Sequence, residues 1–280
     1  MITAIRAEAR KISTTRAWRA NALLMFGYML FIAAMLAFSF VFAMHEAEKA
    51  GTPVDTSGGL GGGEAMVLDS AAIATTVYTL AVALGYIFPA VLGALIVTTE
   101  FRHRTITPTL LVEPRRSLVL GAKLVAVLPF GLAVAVAGVA GTVIGGAATL
   151  AIMGEPTLLG DSTVHRRILL SVVALTLWAL VGVGFGSVLT NQVAAIVVLL
   201  AFTQFVEPIL RLLVAQFDVT EPLSKFLPGA AGEAVAGSSL YASSGLAQLL
   251  SSWQGALVLT GYAVVLVVVG RLTTFRRDIG

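Results

Sequence analysis

The chain has 280 residues, 58% of them hydrophobic and only 12% charged, with 18 basic against 15 acidic side chains and a mean hydropathy of +0.94. Soluble domains carry about 25% charged residues, so this deficit, with several apolar runs longer than about 18 residues, specifies an integral membrane protein. Spans consume almost the whole length, which leaves no soluble catalytic domain, and the absence of cysteine excludes a disulfide framework or a thiolate metal site.

Residues 2–19 predict an amphipathic helix. Ile2, Ile5, Ala9 and Ile12 recur at helical spacing among Arg6, Arg10, Lys11, Arg16 and Arg19. Trp18 fits the headgroup level. This arm either lies on the inner leaflet or simply orients the first span. The first apolar stretch follows a charged arm and is too long for a signal peptide's core, so no cleaved leader is expected.

The first span runs from about Ala20 to Met44. Residues 45–70 make an acidic loop with Glu46, Glu48, Asp55, Glu64 and Asp69 and a glycine-rich run, Gly58 to Gly63. That run lacks the lysine and hydroxyl of a phosphate-binding loop and reads as flexible linker. The second span covers 71–99 with a kink expected at Pro89. The third, 118–152, is overlong and predicts a tilted or broken helix bent near Pro129. A polar loop over 154–167 leads to a fourth span at 168–189. Thr190, Asn191 and Gln192 form a tight turn into a fifth at 193–214. Residues 215–252 hold Pro222, Pro228 and many Gly and Ser, and predict short helices that dip into the interface. The sixth span is 254–274, followed by Arg276, Arg277 and Asp278.

Six spans put both termini, the 100–117 segment and the 190–192 turn on one side. That side holds thirteen of the 18 basic residues, while eleven of the 15 acids lie on the other. Both termini are therefore expected in the cytoplasm of a multi-pass cell-membrane protein. The basic residues report this orientation rather than nucleic acid. His45, His103 and His165 are far apart near span ends or loops, which argues against a metal centre.

The most informative segment lies between the second and third spans. Thr107 is suited to cap a helix whose first residue is Pro108, where a missing N–H costs nothing, and Pro114 stops it. The result is a short rod, 108–113, flanked by Glu100, Arg102, Arg104, Arg115 and Arg116. A simple orienting loop explains the arginines but needs neither a capped rod nor an acid at the span boundary.

A glutamate ending the second span, a hydroxyl-bearing turn, a Leu-Leu pair, then Pro-Arg and a lysine opening the third span are here Glu100, Thr105, Leu110, Leu111, Pro114, Arg115 and Lys123. With six spans, an amphipathic arm and an apolar, glycine-rich region before the last span, the whole chain resembles the permease subunit of type-2 ABC exporters. Arg104 stands where that family often has glycine. The resemblance implies a permease dimer, of two copies or of related permeases, joined to cytoplasmic ABC ATP-binding subunits. Segment 100–116 would be the coupling helix, and the second and fifth spans would line the substrate path. This chain is expected to bind no cofactor and to have no catalytic residues, with ATP and Mg on the separate partner.

Ionisable residues inside the spans are functional candidates. Lys123 is expected to snorkel to the cytoplasmic interface. Glu207 and Arg211, four apart, share a helix face and can pair, with Gln204 one turn earlier. The pair is expected near the outer headgroups, either as a self-satisfied ion pair or as a gate on the substrate path. Gly141 with Gly145 and Gly182 with Gly186 predict close packing between helices of one protomer. Phe202 and Phe205 face lipid or core more readily than cargo.

The sequence thus specifies an all-α polytopic protein with six transmembrane helices, an N-terminal amphipathic helix and a short cytoplasmic coupling helix. Its expected work is ATP-driven export of an amphipathic or hydrophobic substrate such as a drug, peptide antibiotic or lipid-like molecule. A gradient-driven secondary transporter usually needs buried acids or broken helices at the midplane, often in repeated halves, and the sequence displays no convincing midplane acid and no obvious repeat between residues 20–150 and 168–275. An intramembrane enzyme needs a catalytic set at depth. A non-transporting anchor or sensor subunit fits the lack of chemistry equally well.

Overall fold

The computed structural model of the chain describes residues 1–50, 70–215, 221–238 and 249–276. The glycine-rich linker and the 277–278 end of the basic tail lie outside the described residues. Within them the fold is all-α, and six helices are long and apolar enough to cross a membrane: Ala17–Lys49, Ser70–Arg102, Arg116–Ile152, Ser162–Val188, Gln192–Arg211 and Ser252–Thr273. An all-helical solution follows from the solvent, because lipid offers no partner to a backbone N–H or C=O and a helix satisfies both internally.

The arm is shorter than its apolar pattern indicated. Helix α1, Ile2–Thr14, ends at an extended Thr15, and α2, Ala17–Ala50, begins two residues later. Trp18 therefore belongs to the first span, where its ring meets Phe130 edge-on at 5.5 Å. The inward face of α1 carries Ile5, Glu8 and Ile12, with Glu8 and Ile12 buried, so the arm docks on the protein.

The second span is two helices, α3 (Ser70–Leu84) and α4 (Ile87–Arg102). The break falls at Gly85–Tyr86, upstream of Pro89, because a proline ring collides with the carbonyl four residues before it and removes that hydrogen bond. The short loop 103–105 leads to α5, Ile106–Val112. The third span, α6 (Arg116–Ile152), stays one helix through Pro129 and is not broken. At about 1.5 Å per residue it is roughly 55 Å long, longer than a bilayer core of about 30 Å.

Asp161 caps α7, Ser162–Val188, by accepting from the Thr163 and Val164 amides, which starts the fourth span six residues before the expected boundary. Burial is slight and these amide bonds hold the Asp161 carboxyl below its ordinary value. Asn191 caps α8, Gln192–Ala201, in the same way. A π-helical turn, Phe202–Val206, then interrupts the fifth span before α9, Glu207–Ala215. Next come α10, Glu221–Ser224, and α11, Pro228–Ala236. The sixth span is α12, Ser252–Thr273, opened by a reciprocal Ser251–Gln254 capping box.

Part of the segment expected to dip into the interface is enclosed by other helices. All nine residues of α11 are buried, and the helix packs against α7 and α12. Small residues permit it: a Cβ at Gly232 would meet the Trp178 indole nitrogen at 2.8 Å, and one at Gly255 the Ala231 carbonyl at 2.5 Å. The glycine pairs act within the chain. Gly141 and Gly145 rest on the Phe26 and Leu30 backbone of α2, while Gly182 and Gly186 rest on Ala90 and Ala94 of α4. At the centre Trp178 is fully buried and stacks on Tyr86 at 4.5 Å, an arrangement worth about 0.5–1.5 kcal/mol beyond area burial.

Candidate functional site

Two charged clusters dominate the interior. The first sits where α1, α4 and α6 meet. Lys123 is fully buried and does not snorkel: its Nζ lies 2.7 Å from Glu8 Oε2 and 2.8 Å from Glu100 Oε2. Lys11 Nζ closes the circuit, 2.6 Å from Glu8 Oε1 and 2.7 Å from Glu100 Oε1. Two lysines and two carboxylates alternate in a neutral ring. Neutrality is what makes it tolerable, since each buried ion loses several kcal/mol of solvation unless opposite charge and hydrogen bonds replace the water. Burial pushes the Glu8 carboxyl up, but Lys123 and Lys11 outweigh it and hold the group below its ordinary value. Burial alone lowers the Lys11 ammonium, yet Glu100 and Glu8 hold it above its usual value.

Lys11 also donates to Thr109 Oγ1 at 3.2 Å, which ties the arm to α5. Glu8 and Lys11 were not singled out in the sequence as ring members. The signal was present, for Glu8 is the sole acid of a basic arm and stands between Ile5 and Ile12 on its apolar face.

The segment between the second and third spans is helical, as the sequence indicated, but its start differs. Helix α5 begins at Ile106 with Thr105, not Thr107, at the cap position, and the Thr105 side chain makes no capping bond. Pro108 is therefore the third helical residue, still within the first turn where N–H groups lack intrahelical partners. The earlier start follows from Arg104, whose φ of +56° reverses the chain and buries Ile106.

Arg102 donates to Gln192 at 3.0 Å, linking the end of the second span to the start of the fifth. Arg115 pairs with Glu113 at 2.9 Å beside Pro114. With little desolvation to oppose it, that pairing depresses the Glu113 carboxyl and raises the Arg115 guanidinium. Leu110 packs inward, whereas Leu111 and Val112 are 80% and 88% exposed. Thr107 and Pro108 are exposed as well.

Below the arm lies a cavity of about 520 Å³. Leu92, Leu95, Ile96 and Thr99 form one wall, and Ile12 and Gln192 face them. It joins the second and fifth spans next to the ring.

The second cluster lies at the π turn. Arg211 Nη2 is 2.7 Å from Glu207 Oε1 and its Nη1 3.0 Å from Glu233 Oε1. The Ala230 amide donates to Glu207 Oε1 at 3.1 Å. The expected Glu207–Arg211 pair is thus real, but it is buried, with Glu207 2% and Arg211 5% exposed, and it has a third member in Glu233. Gln204 does not join it. Its Nε2 donates to the Tyr86 hydroxyl, which donates to the Thr203 carbonyl. Phe205 is exposed and Phe202 half-buried. Glu233 gave no separate signal beyond being a lone acid in a Gly- and Ala-rich stretch.

The described residues contain no group of three or more His, Asp or Glu able to hold a metal ion. Together the fold and these clusters define a multi-pass α-helical membrane protein with interrupted helices and buried ionic networks. Comparison with family models, characterised proteins and solved structures returns no match.

Proposed function

We propose that the chain is the permease subunit of an ATP-driven ABC exporter, lying in the cell membrane with both termini in the cytoplasm. One observation carries this reading. The α5 rod presents an exposed apolar pair, Leu111 and Val112, inside a collar of exposed arginines, Arg102, Arg104 and Arg115. Its base is held by Thr109 on Lys11 and by the ring beneath. So many charges keep the rod out of hydrocarbon, and an apolar knob in water with a polar rim has the composition of a docking hot spot.

Force applied to such a knob has a stiff route into the second and third spans and the arm. Arg104 strengthens the family resemblance, because its left-handed backbone is the conformation a glycine would adopt freely. The cavity beside Leu92, Leu95 and Gln192 supports an amphipathic or hydrophobic cargo entering between the second and fifth spans, in a dimer of two permeases. A closed ATPase pair favours one arrangement of these spans and an open pair the other.

The test is purification of the full chain from its native membrane. A nucleotide-hydrolysing subunit should come with it, and Leu111→Asp with Val112→Asp should reduce that recovery about tenfold or more, as loss of a hot spot does. Transport at full rate in vesicles that contain this chain alone and no nucleotide would contradict the proposal.

A second reading, a gradient-driven carrier, is favoured by the buried Glu207–Arg211–Glu233 triad beside interrupted helices, features such carriers use. The same vesicles separate the two, since only the carrier moves cargo on an ion gradient without nucleotide.

A further inference from the structure

At the end of the sixth span a crevice of about 490 Å³ opens between it and the start of the third. Arg115 and Arg116 line it from α6 and its approach, Arg271 and Arg276 from the end of α12, and Leu272 and Phe275 supply its apolar surface. No acid is among its described lining residues. Arg116 donates to the Phe275 carbonyl, which fixes one wall against the other, and Arg115 is shared with Glu113. Arg271 and Arg276 are exposed, with no ion-pair partner among the described residues. Below the crevice an uncovered apolar stripe runs along α12: Leu272, Val268 and Val265, which are four and three residues apart.

We propose that this crevice binds one anionic phospholipid, its phosphate between the arginines and an acyl chain along the Leu272–Val265 stripe. Three features select the lipid over other anions. The guanidiniums present the planar N–H forks that match phosphate oxygens. The apolar stripe continues directly from the charged crevice, which a soluble anion has no use for. Basic pockets between transmembrane helices are a recurrent headgroup site.

The site lies at the junction of the third and sixth spans and shares Arg115 with the collar of the α5 knob, and a lipid seated there would brace those span ends together. The inference uses only the six-span arrangement and the charge of the crevice. It needs no ATPase partner, and in bilayers of symmetric composition its outcome does not depend on which leaflet the crevice faces.

The experiment is native mass spectrometry and thermal unfolding of the full chain in nanodiscs or mixed micelles of phosphatidylglycerol or phosphatidylcholine. Phosphatidylglycerol should be retained and raise the melting temperature, while inorganic phosphate and glycerol phosphate should do neither. Arg271→Gln and Arg276→Gln should each weaken phosphatidylglycerol retention about fivefold, the effect of one basic residue on an anionic surface. Arg271→Lys with Arg276→Lys should keep part of it, the charge without the planar fork. Leu272→Gln should weaken retention with both arginines intact, which a soluble acidic partner or a free phosphate would not produce. Equal retention of both lipids, or a preference untouched by the two arginine substitutions, would overturn the proposal. So would a phosphate effect equal to that of the lipid, or an arginine effect with none from Leu272→Gln, the pattern expected of an acidic protein segment.

Discussion

The two buried charge clusters solve the same physical problem differently. The ring of Glu8, Lys11, Glu100 and Lys123 balances two acids against two bases, and one member, Lys11, keeps a side chain 45% exposed. The triad of Glu207, Arg211 and Glu233 sets two acids against one base, with all three side chains almost wholly buried. Lysine, a point charge, suits a ring whose members come from three helices. Arginine's fork suits the triad, where one cation must satisfy two carboxylates. The ring therefore clamps the arm to the base of α5, whereas the triad staples the interrupted fifth span to α11.

Arg211→Met should be the most damaging single change. It removes the cation shared by two buried carboxylates, and removing one partner of a buried ion pair costs about 3–5 kcal/mol. Denaturant titration in micelles should read the loss. Restoring stability with Glu207→Gln and Glu233→Gln added would show that the charge, not the packing, was missed.

Lys123→Met should cost less, about 2–3 kcal/mol, because Lys11 still reaches both acids of the ring. Adding Glu8→Gln should recover part of that loss. No recovery would mean that Lys123 matters for packing alone.

The ring also sets a pH window. Glu8 is held below its ordinary 4.5, so the folded chain binds that proton less readily than the unfolded one; its contribution is present above about 4.5 and disappears as pH falls through the lowered value. Lys11 is held above its ordinary 10.5, so its contribution is present below about 10.5 and is lost as pH rises through the raised value. Amide protection across Ile2–Thr14, taken relative to the intrinsic exchange rate at each pH, should thus be highest between those limits. Glu8→Gln should remove the acid arm of the profile and leave the alkaline arm.

The smallest effect concerns the turn before α5. A non-glycine residue at positive φ carries about 1–2 kcal/mol of strain, so Arg104→Gly should stabilise the hairpin by about 1 kcal/mol while removing one collar charge. Increased stability with weaker partner recovery would separate the two roles of that position.

Six spans were legible because a bilayer core demands about 20 apolar residues per crossing, a signal that local detail cannot hide. The rod below the second span was legible from proline placement, but its first residue was not, because the left-handed turn at Arg104 carries no sequence signature in an arginine. Lys123 reads as an interfacial lysine because its carboxylates come from 115 and 23 residues away. The enclosure of α11 was hidden for a similar reason: a run of Gly and Ala reads as a short interfacial helix until Trp178 and Arg211 supply the surfaces it fits. Long-range pairing is what one chain read alone does not display.

The central claim is that force enters through the α5 knob from the cytoplasm, and the absence of cysteine makes it directly testable. Leu111→Cys gives a single thiol for a membrane-impermeant maleimide, applied to inside-out and right-side-out vesicles. The account predicts labelling only in inside-out vesicles, and protection when the ATP-binding partner is restored. Labelling from the outer face, or labelling indifferent to that partner, would contradict it.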